Sequence, residues 1–222
     1  MVKKIRIIVG NSAYKDNSGF GYSSLKVNEL ENEKLKKVYD GFSEIAFIPK
    51  ITDEEQMMKE KETQEKIREK MKEVYHKYLD VVSFRRLYFL LFGGEFDLLK
   101  CTAEEIAEKF MNYGIYLINS CKDGEDTLNI CYLEKLIDKI EKEYKNEKYS
   151  IHILYIGDKA KKLKSKLDNK TIKEYSISHP GSINKKVSEK WINYICEDNS
   201  SCYEEIKINF RVNLFDDETG NN

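Results

Sequence analysis

Proline is nearly missing from this chain. Pro49 and Pro180 are the only two in 222 residues, which excludes proline-rich linkers and polyproline recognition segments. No run approaches the roughly 18 uncharged apolar residues that a membrane-crossing helix needs. No C-x-x-C pair occurs, and the five cysteines (Cys101, Cys121, Cys131, Cys196, Cys202) are odd in number. That argues against a disulfide framework and against a zinc or iron–sulfur cage. The three histidines, His76, His152 and His179, are too scattered to mark a metal site by spacing. Gly-rich phosphate loops of the Walker or dinucleotide type are lacking, so a nucleotide-hydrolysing enzyme is a poor reading. Neither sign of charge is in excess: 38 basic against 39 acidic residues leave a formal charge of −1, and bulk electrostatics do not announce a nucleic-acid binder. The start, Met1-Val2-Lys3-Lys4, runs straight into a strand-like segment without a signal-peptide core. The expectation is a soluble cytoplasmic protein with no membrane association, no metal and no cofactor.

What is present is enough apolar material for a core. Hydrophobic residues make up 41% and charged residues 35%, at a length near the upper end of what one core supports. The chain therefore reads as a single domain over residues 1–215, a monomer, with a charged helical insertion at about 52–94 and a frayed acidic tail at 216–222.

Ile5 to Val9 is a short β-branched run halted by Gly10-Asn11-Ser12, the pattern of a buried parallel strand. Loops at the carboxyl ends of such strands are where open α/β sheets take ligands. Residues 10–24, rich in Gly, Ser, Asn and aromatics, form either the first functional loop or a plain polar connection. A helix is expected over 28–39, a strand over 45–48 closed by Pro49, and a long solvated helix over 52–78, started by a Thr52/Glu55 capping box. Residues 81–92 are apolar around two arginines and read as a core helix. Thr102 and Glu105 start a helix to about Asn112, and a strand follows over 115–118, ending at Asn119. Further elements are a helix over 128–144, a strand over 151–156, a basic helix over 159–167, a strand over 171–177 and a helix over 185–196 that holds the only tryptophan, Trp191. This alternation predicts an α/β fold, a three-layer α/β/α sandwich around a mostly parallel central sheet. Ile206, Ile208, Phe210, Val212 and Leu214 alternate with polar residues, so an extra C-terminal edge strand is expected there.

Three strand ends carry unusual polar groups: Gly10-Asn11-Ser12-Ala13-Tyr14, then Asn119, then His179-Pro180-Gly181-Ser182. A carboxamide offers both a donor and an acceptor to a base edge, and a histidine in a tight turn offers a positioned donor. Each alone also fits a duller role, Asn119 as a turn cap and His179 as a satisfied turn residue. Charge is uneven as well: between residues 158 and 190 ten lysines stand against four acids. These lysines read either as a solvated helix face or as a phosphate-binding rim.

In this order the segments resemble the uracil-DNA glycosylase superfamily, its uracil-specific branch most of all. The branch's strand followed by G-Q-D-P-Y-H and a Phe-Ser pair is similar to Gly10-Asn11-Ser12-Ala13-Tyr14-Lys15 followed by Tyr22-Ser23. Its G-V-L-L-L-N is similar to Gly114-Ile115-Tyr116-Leu117-Ile118-Asn119, and its strand ending in Gly with Ala three residues on is similar to Leu154-Tyr155-Ile156-Gly157-Asp158-Lys159-Ala160. Its H-P-S turn resembles His179-Pro180-Gly181-Ser182, and the F-S-K after it resembles Val187-Ser188-Glu189. The likeness covers about half the chain and leaves out residues 25–100.

The resemblance implies a DNA glycosylase of base excision repair, a hydrolase that flips a uracil or other deaminated or modified base out of DNA and cleaves its N-glycosidic bond. His179 would face the base oxygen that gains charge. Asn119 would read the base edge, Tyr22 (or Phe20) would stack on its face, and Tyr14 would exclude a methyl group. Ser12 falls where the family has its water-activating Asp, with Asn11 and Asp16 as neighbouring substitutes. Ser182, Lys185, Lys186, Ser188 and Lys159 would contact DNA phosphates. Gly181 replaces the serine after His-Pro, and the branch's proline-rich loop is missing. The competing expectations are a weak or inactive member that binds nucleic acid or a nucleotide, and an α/β partner scaffold acting through residues 52–80.

Overall fold

The structure, a computed structural model, describes residues 2–11, 22–51, 81–93, 101–121, 130–167, 171–181, 186–187, 189–191 and 201–212. The elements in chain order are β1 (Lys3–Gly10), β2 (Tyr22–Lys26), a 3₁₀ turn (Val27–Glu29), α1 (Glu33–Tyr39), β3 (Glu44–Ile51), α2 (Val82–Phe92), α3 (Ala103–Asn112), β4 (Ile115–Asn119), α4 (Ile130–Glu143), β5 (Tyr149–Ile156), α5 (Asp158–Lys161), β6 (Lys173–Ile177) and α6 (Ser201–Phe210).

Four strands form one parallel sheet in the order β4-β1-β5-β6, and β2 and β3 form a separate antiparallel pair. β1 is central because its middle is apolar on both faces: Ile5, Ile7, Ile8 and Val9 are fully buried, as a strand covered on two sides requires. β4 and the carboxyl half of β5 are buried in the same way. Helices flank the sheet. In α4, Leu133, Leu136, Ile137 and Ile140 recur at helical spacing and are the helix's buried residues. The expected core helix is α2, whose Phe84, Leu87, Tyr88, Leu91 and Phe92 are buried. The expected capping box is also there: the Thr102 hydroxyl accepts from the Glu105 amide, and the Glu105 carboxylate accepts from the Thr102 amide. This is the α/β class read from the sequence, with a parallel sheet between helices.

Five elements differ from the sequence reading, the first being β2, whose Tyr22 to Ser24 fall in the stretch read as a loop or polar connection. The C-terminal segment expected as an edge strand is the helix α6. Ile206 and Phe210 are buried one turn apart while Ile208 is 65% exposed, so the apolar residues obey a period of 3.6 and not of 2. β3 passes through Pro49 instead of stopping at it. A two-stranded pair leaves an edge where the missing proline amide costs no ladder bond. α1 begins at Glu33 rather than Asn28, because the Asn32 side chain accepts from the amides of Lys34 and Leu35 and sets the start there. The basic helix shrinks to α5, continued by i to i+3 turns as far as Lys166. The Glu174 carboxylate takes the amide of Ser165, which sits at a φ of +63°. The helix expected over 185–196 is present at residues 186–187 and 189–191. The expected helix over 52–78 and the tail at 216–222 lie outside the described residues.

Two side chains close the sheet's borders. On the outer edge of β4 the Leu117 amide donates to the hydroxyl of buried Tyr39 at 3.0 Å, and burial holds that phenol protonated. At the amino-terminal end of β1 the buried Arg6 guanidinium donates to the carbonyls of Asn209, Arg211, Lys4 and Tyr113. It thereby ties the end of α6 to the sheet. No described helix is long and apolar enough to cross a membrane.

Candidate functional site

In the strand order β4-β1-β5-β6 the connection leaving β1 runs to one side of the sheet and that leaving β5 to the other, and the crevice outside the carboxyl ends of these two strands is where such sheets take ligands. Asn11 spans it. Its Oδ1 accepts from the Ala160 amide at 3.1 Å, and a Cβ on Gly157 would stand 2.5 Å from the Asn11 carboxamide. Gly157 also has a φ of +90°, so only glycine fits under Asn11 there. Ser120 joins from β4: its hydroxyl donates to the Asn11 carbonyl at 2.8 Å.

On the β4 side lies a second cluster. Gly10 and Asn119 are register partners at the ends of β1 and β4. Asn119 is buried, and its Nδ2 donates to the carboxylate of Glu44, itself 6% exposed at the start of β3. Gly10 is bare because no side chain would fit: a Cβ there would lie 2.9 Å from Asn119 Oδ1 and 2.8 Å from the ring of Phe47. Phe47 reaches this point from β3. The β2–β3 register jumps from Ser24↔Pro49 to Leu25↔Ile45, and within the extra residues Phe47 takes a φ of +61°. A residue with a Cβ pays roughly 1–2 kcal/mol for left-handed backbone, and bulges re-aim side chains near sites. The ring lands beside His179, with centroids 6.1 Å apart and planes inclined at 32°.

The His179 turn is held on both flanks. The Trp191 indole donates to the Ser178 carbonyl at 3.0 Å, and the Arg86 guanidinium of α2 donates to the Pro180 carbonyl. His179 Nδ1 accepts from the Gly181 amide at 3.1 Å, which assigns the ring proton to Nε2 in the neutral form. Burial lowers the His179 pKa below the ordinary histidine value.

Of the residues expected from sequence, Asn119 and His179 meet around Phe47, whereas Asn11 lies on the β5 side with its Oδ1 on α5. Tyr22 opens β2 opposite Ile51, half-buried against the core. Lys159 is half-buried in α5 and Lys186 is exposed. Ser12, Tyr14, Asp16, Phe20, Ser182, Lys185 and Ser188 lie outside the described residues. Sequence reading missed Phe47, Glu44, Arg86 and Trp191 as neighbours of the site. A signal existed for Glu44, a charge at the head of the apolar run 45–48, and for Arg86, one of two arginines inside the apolar run 81–92. Among the described residues no group of three or more His, Cys, Asp or Glu is gathered to hold a metal.

Comparison of the chain with protein-family models, with curated proteins and with solved structures gives no match to any of them.

Proposed function

We propose that the chain is a DNA glycosylase of the uracil-DNA glycosylase superfamily, acting on a flipped uracil or another deaminated or modified base. The observation that carries this reading is that Asn119 and His179 both come close to the ring of Phe47 at the sheet's carboxyl end. In the reaction the bond between C1′ and the base nitrogen breaks, its electron pair leaves with the base, and water adds to the cationic sugar carbon. A neutral imidazole with its proton on Nε2 suits this step. It donates to the base oxygen that gains charge and gives up no proton in the ground state. Asn119 would face the base edge, with Tyr14, Tyr22 and Phe20 as its further contacts. Ser12 and Asp16 are the proposed places from which water is oriented. Lys159, Lys185, Lys186, Ser182 and Ser188 would take phosphates, and affinity through them falls with salt.

A specific observation supports a second reading, base or nucleic-acid binding without turnover: Asn119 already gives one amide proton to Glu44, and the ring of Phe47 already stands beside it. One experiment separates the two. Single- and double-stranded oligonucleotides carrying uracil, hypoxanthine, xanthine or a 5-substituted pyrimidine are incubated with the protein and then treated with alkali. Strand breaks that vanish in His179→Ala support the enzyme. Salt-sensitive binding without breaks supports the second reading, and the absence of both breaks and binding counts against both.

A further inference from the structure

Phe47 stands where a base touching both Asn119 and His179 would have to go. One side of its ring lies against the Gly10 backbone, with Cε2 and Cζ at 2.8 and 2.9 Å from the position of a Gly10 Cβ. Asn119 Oδ1 is 2.9 Å from that same position. The His179 ring lies 6.1 Å away between centroids, its plane inclined at 32°. A planar base stacked between two rings needs about 7 Å, two layers of carbon contact. None fits between Phe47 and His179, and none fits between Phe47 and Gly10.

The backbone beneath the ring is the second observation. Phe47 is held at a φ of +61° in a bulge of three residues, 46–48, between the Leu25↔Ile45 and Ser24↔Pro49 pairs. Phenylalanine gains nothing from left-handed backbone, so packing of the ring is what keeps it there. Whatever replaces the ring releases that strain.

We propose that Phe47 is the side chain an entering base displaces. The ring holds the space between Asn119 and His179, and residue 47 passes from left-handed to extended backbone as the base takes its place. Phe47 then sets the selectivity of entry. An apolar ring gains nothing that the phenyl group did not already have, whereas a base adds hydrogen bonds to Asn119 and His179. The identity of the ligand as a base rests on the proposed function; the occupation of the space by Phe47 does not.

Phe47→Ala and Phe47→Gly in the full chain test this. Folding is checked by circular dichroism and melting, and binding is followed by calorimetry with free uracil and with toluene. Once the ring is gone nothing keeps residue 47 left-handed, so Phe47→Ala is expected to melt at or above Phe47→Gly, the usual order in a strand. Both folded variants are expected to bind toluene, the natural protein is expected not to, and both variants are expected to bind uracil at least tenfold more tightly than the natural protein does. Variants that take toluene but not uracil uphold the displaced ring and sink the base reading. Folded variants that bind neither probe overturn the displacement, as does a melting point for Phe47→Gly above that of Phe47→Ala.

Discussion

The Nδ1 of His179 and the amide of Gly181, 3.1 Å apart, decide which imidazole nitrogen carries the proton. Protonating Nδ1 removes the acceptor, so this bond and burial act in the same direction, both favouring the neutral ring. The folded-state pKa is thus lowered. The stability it confers is present above the unfolded value of about 6.5 and is lost as pH falls through the folded value. Nitrogen NMR of the imidazole is expected to show the Nε2–H tautomer at neutral pH, and any base excision should stay flat from neutral upward and fall only in acid. Titration at or above the ordinary histidine value would contradict this.

Arg86 acts on the same turn from α2. Arg86→Met removes its bond to the Pro180 carbonyl and should cost about 1–2 kcal/mol in urea unfolding. Its more telling effect is on His179, whose titration should move up toward the ordinary value as the turn loosens. A variant that loses stability while His179 titrates as before would limit Arg86 to holding α2 in place.

Asn119 and Glu44 make a sharper pair. Asn119→Asp turns a donor facing a buried carboxylate into a second carboxylate. The variant should be less stable by on the order of 2–4 kcal/mol at neutral pH and should recover as acid supplies a proton for the pair to share. Asn119→Leu should lose less and show no such recovery. Thermal melts of both variants between pH 5 and 8 read the difference.

His152 on β5 is expected to contribute to the pH dependence of stability in acid. It is 2% exposed, its Nε2 meets the Ser150 hydroxyl at 3.2 Å, and among the described residues its Nδ1 has no hydrogen-bond partner. Tyr175 stacks on the ring and Phe210 meets it edge-on. Burial, then the charges of Lys173, Lys4 and Arg6, push its pKa down to about 4. The unfolded chain binds this proton first. Stability should therefore drop by up to about 3 kcal/mol as pH falls from 6.5 to 4, and His152→Phe should flatten that slope in denaturant titrations.

Arg6 offers a control far from the site. Arg6→Met deletes donors to four carbonyls, two of them at the end of α6, and should cost about 2–4 kcal/mol. The His179 titration should not change, because the guanidinium sits at the opposite end of the sheet.

What could be read from the residues beforehand follows from how local each cause is. Ile5 to Val9 and Ile115 to Ile118 are buried on both faces, so their composition alone declares them strands. Thr102 and Glu105 complete their own cap. The segment from Ile206 onward shows the opposite case: its apolar residues satisfy a period of 2, and only burial against the neighbouring elements selects Ile206 and Phe210 over Ile208. Asn119 and His179 were legible as polar residues at strand ends. Phe47 was not, because its position depends on a register jump between two strands and on a bare glycine in a third. Such a cause spans three segments and leaves no mark in any one of them.

The hydroxyl of Tyr39 bonded to the Leu117 amide also shows how the margin of the parallel sheet is finished. A bare sheet margin invites strand addition from a second molecule. Here β4 is buried along its whole length, with Leu117 and Tyr39 each 1% exposed, so a newcomer meets the covering chain first, and the phenol supplies the bond that a neighbouring strand would otherwise have made to that amide.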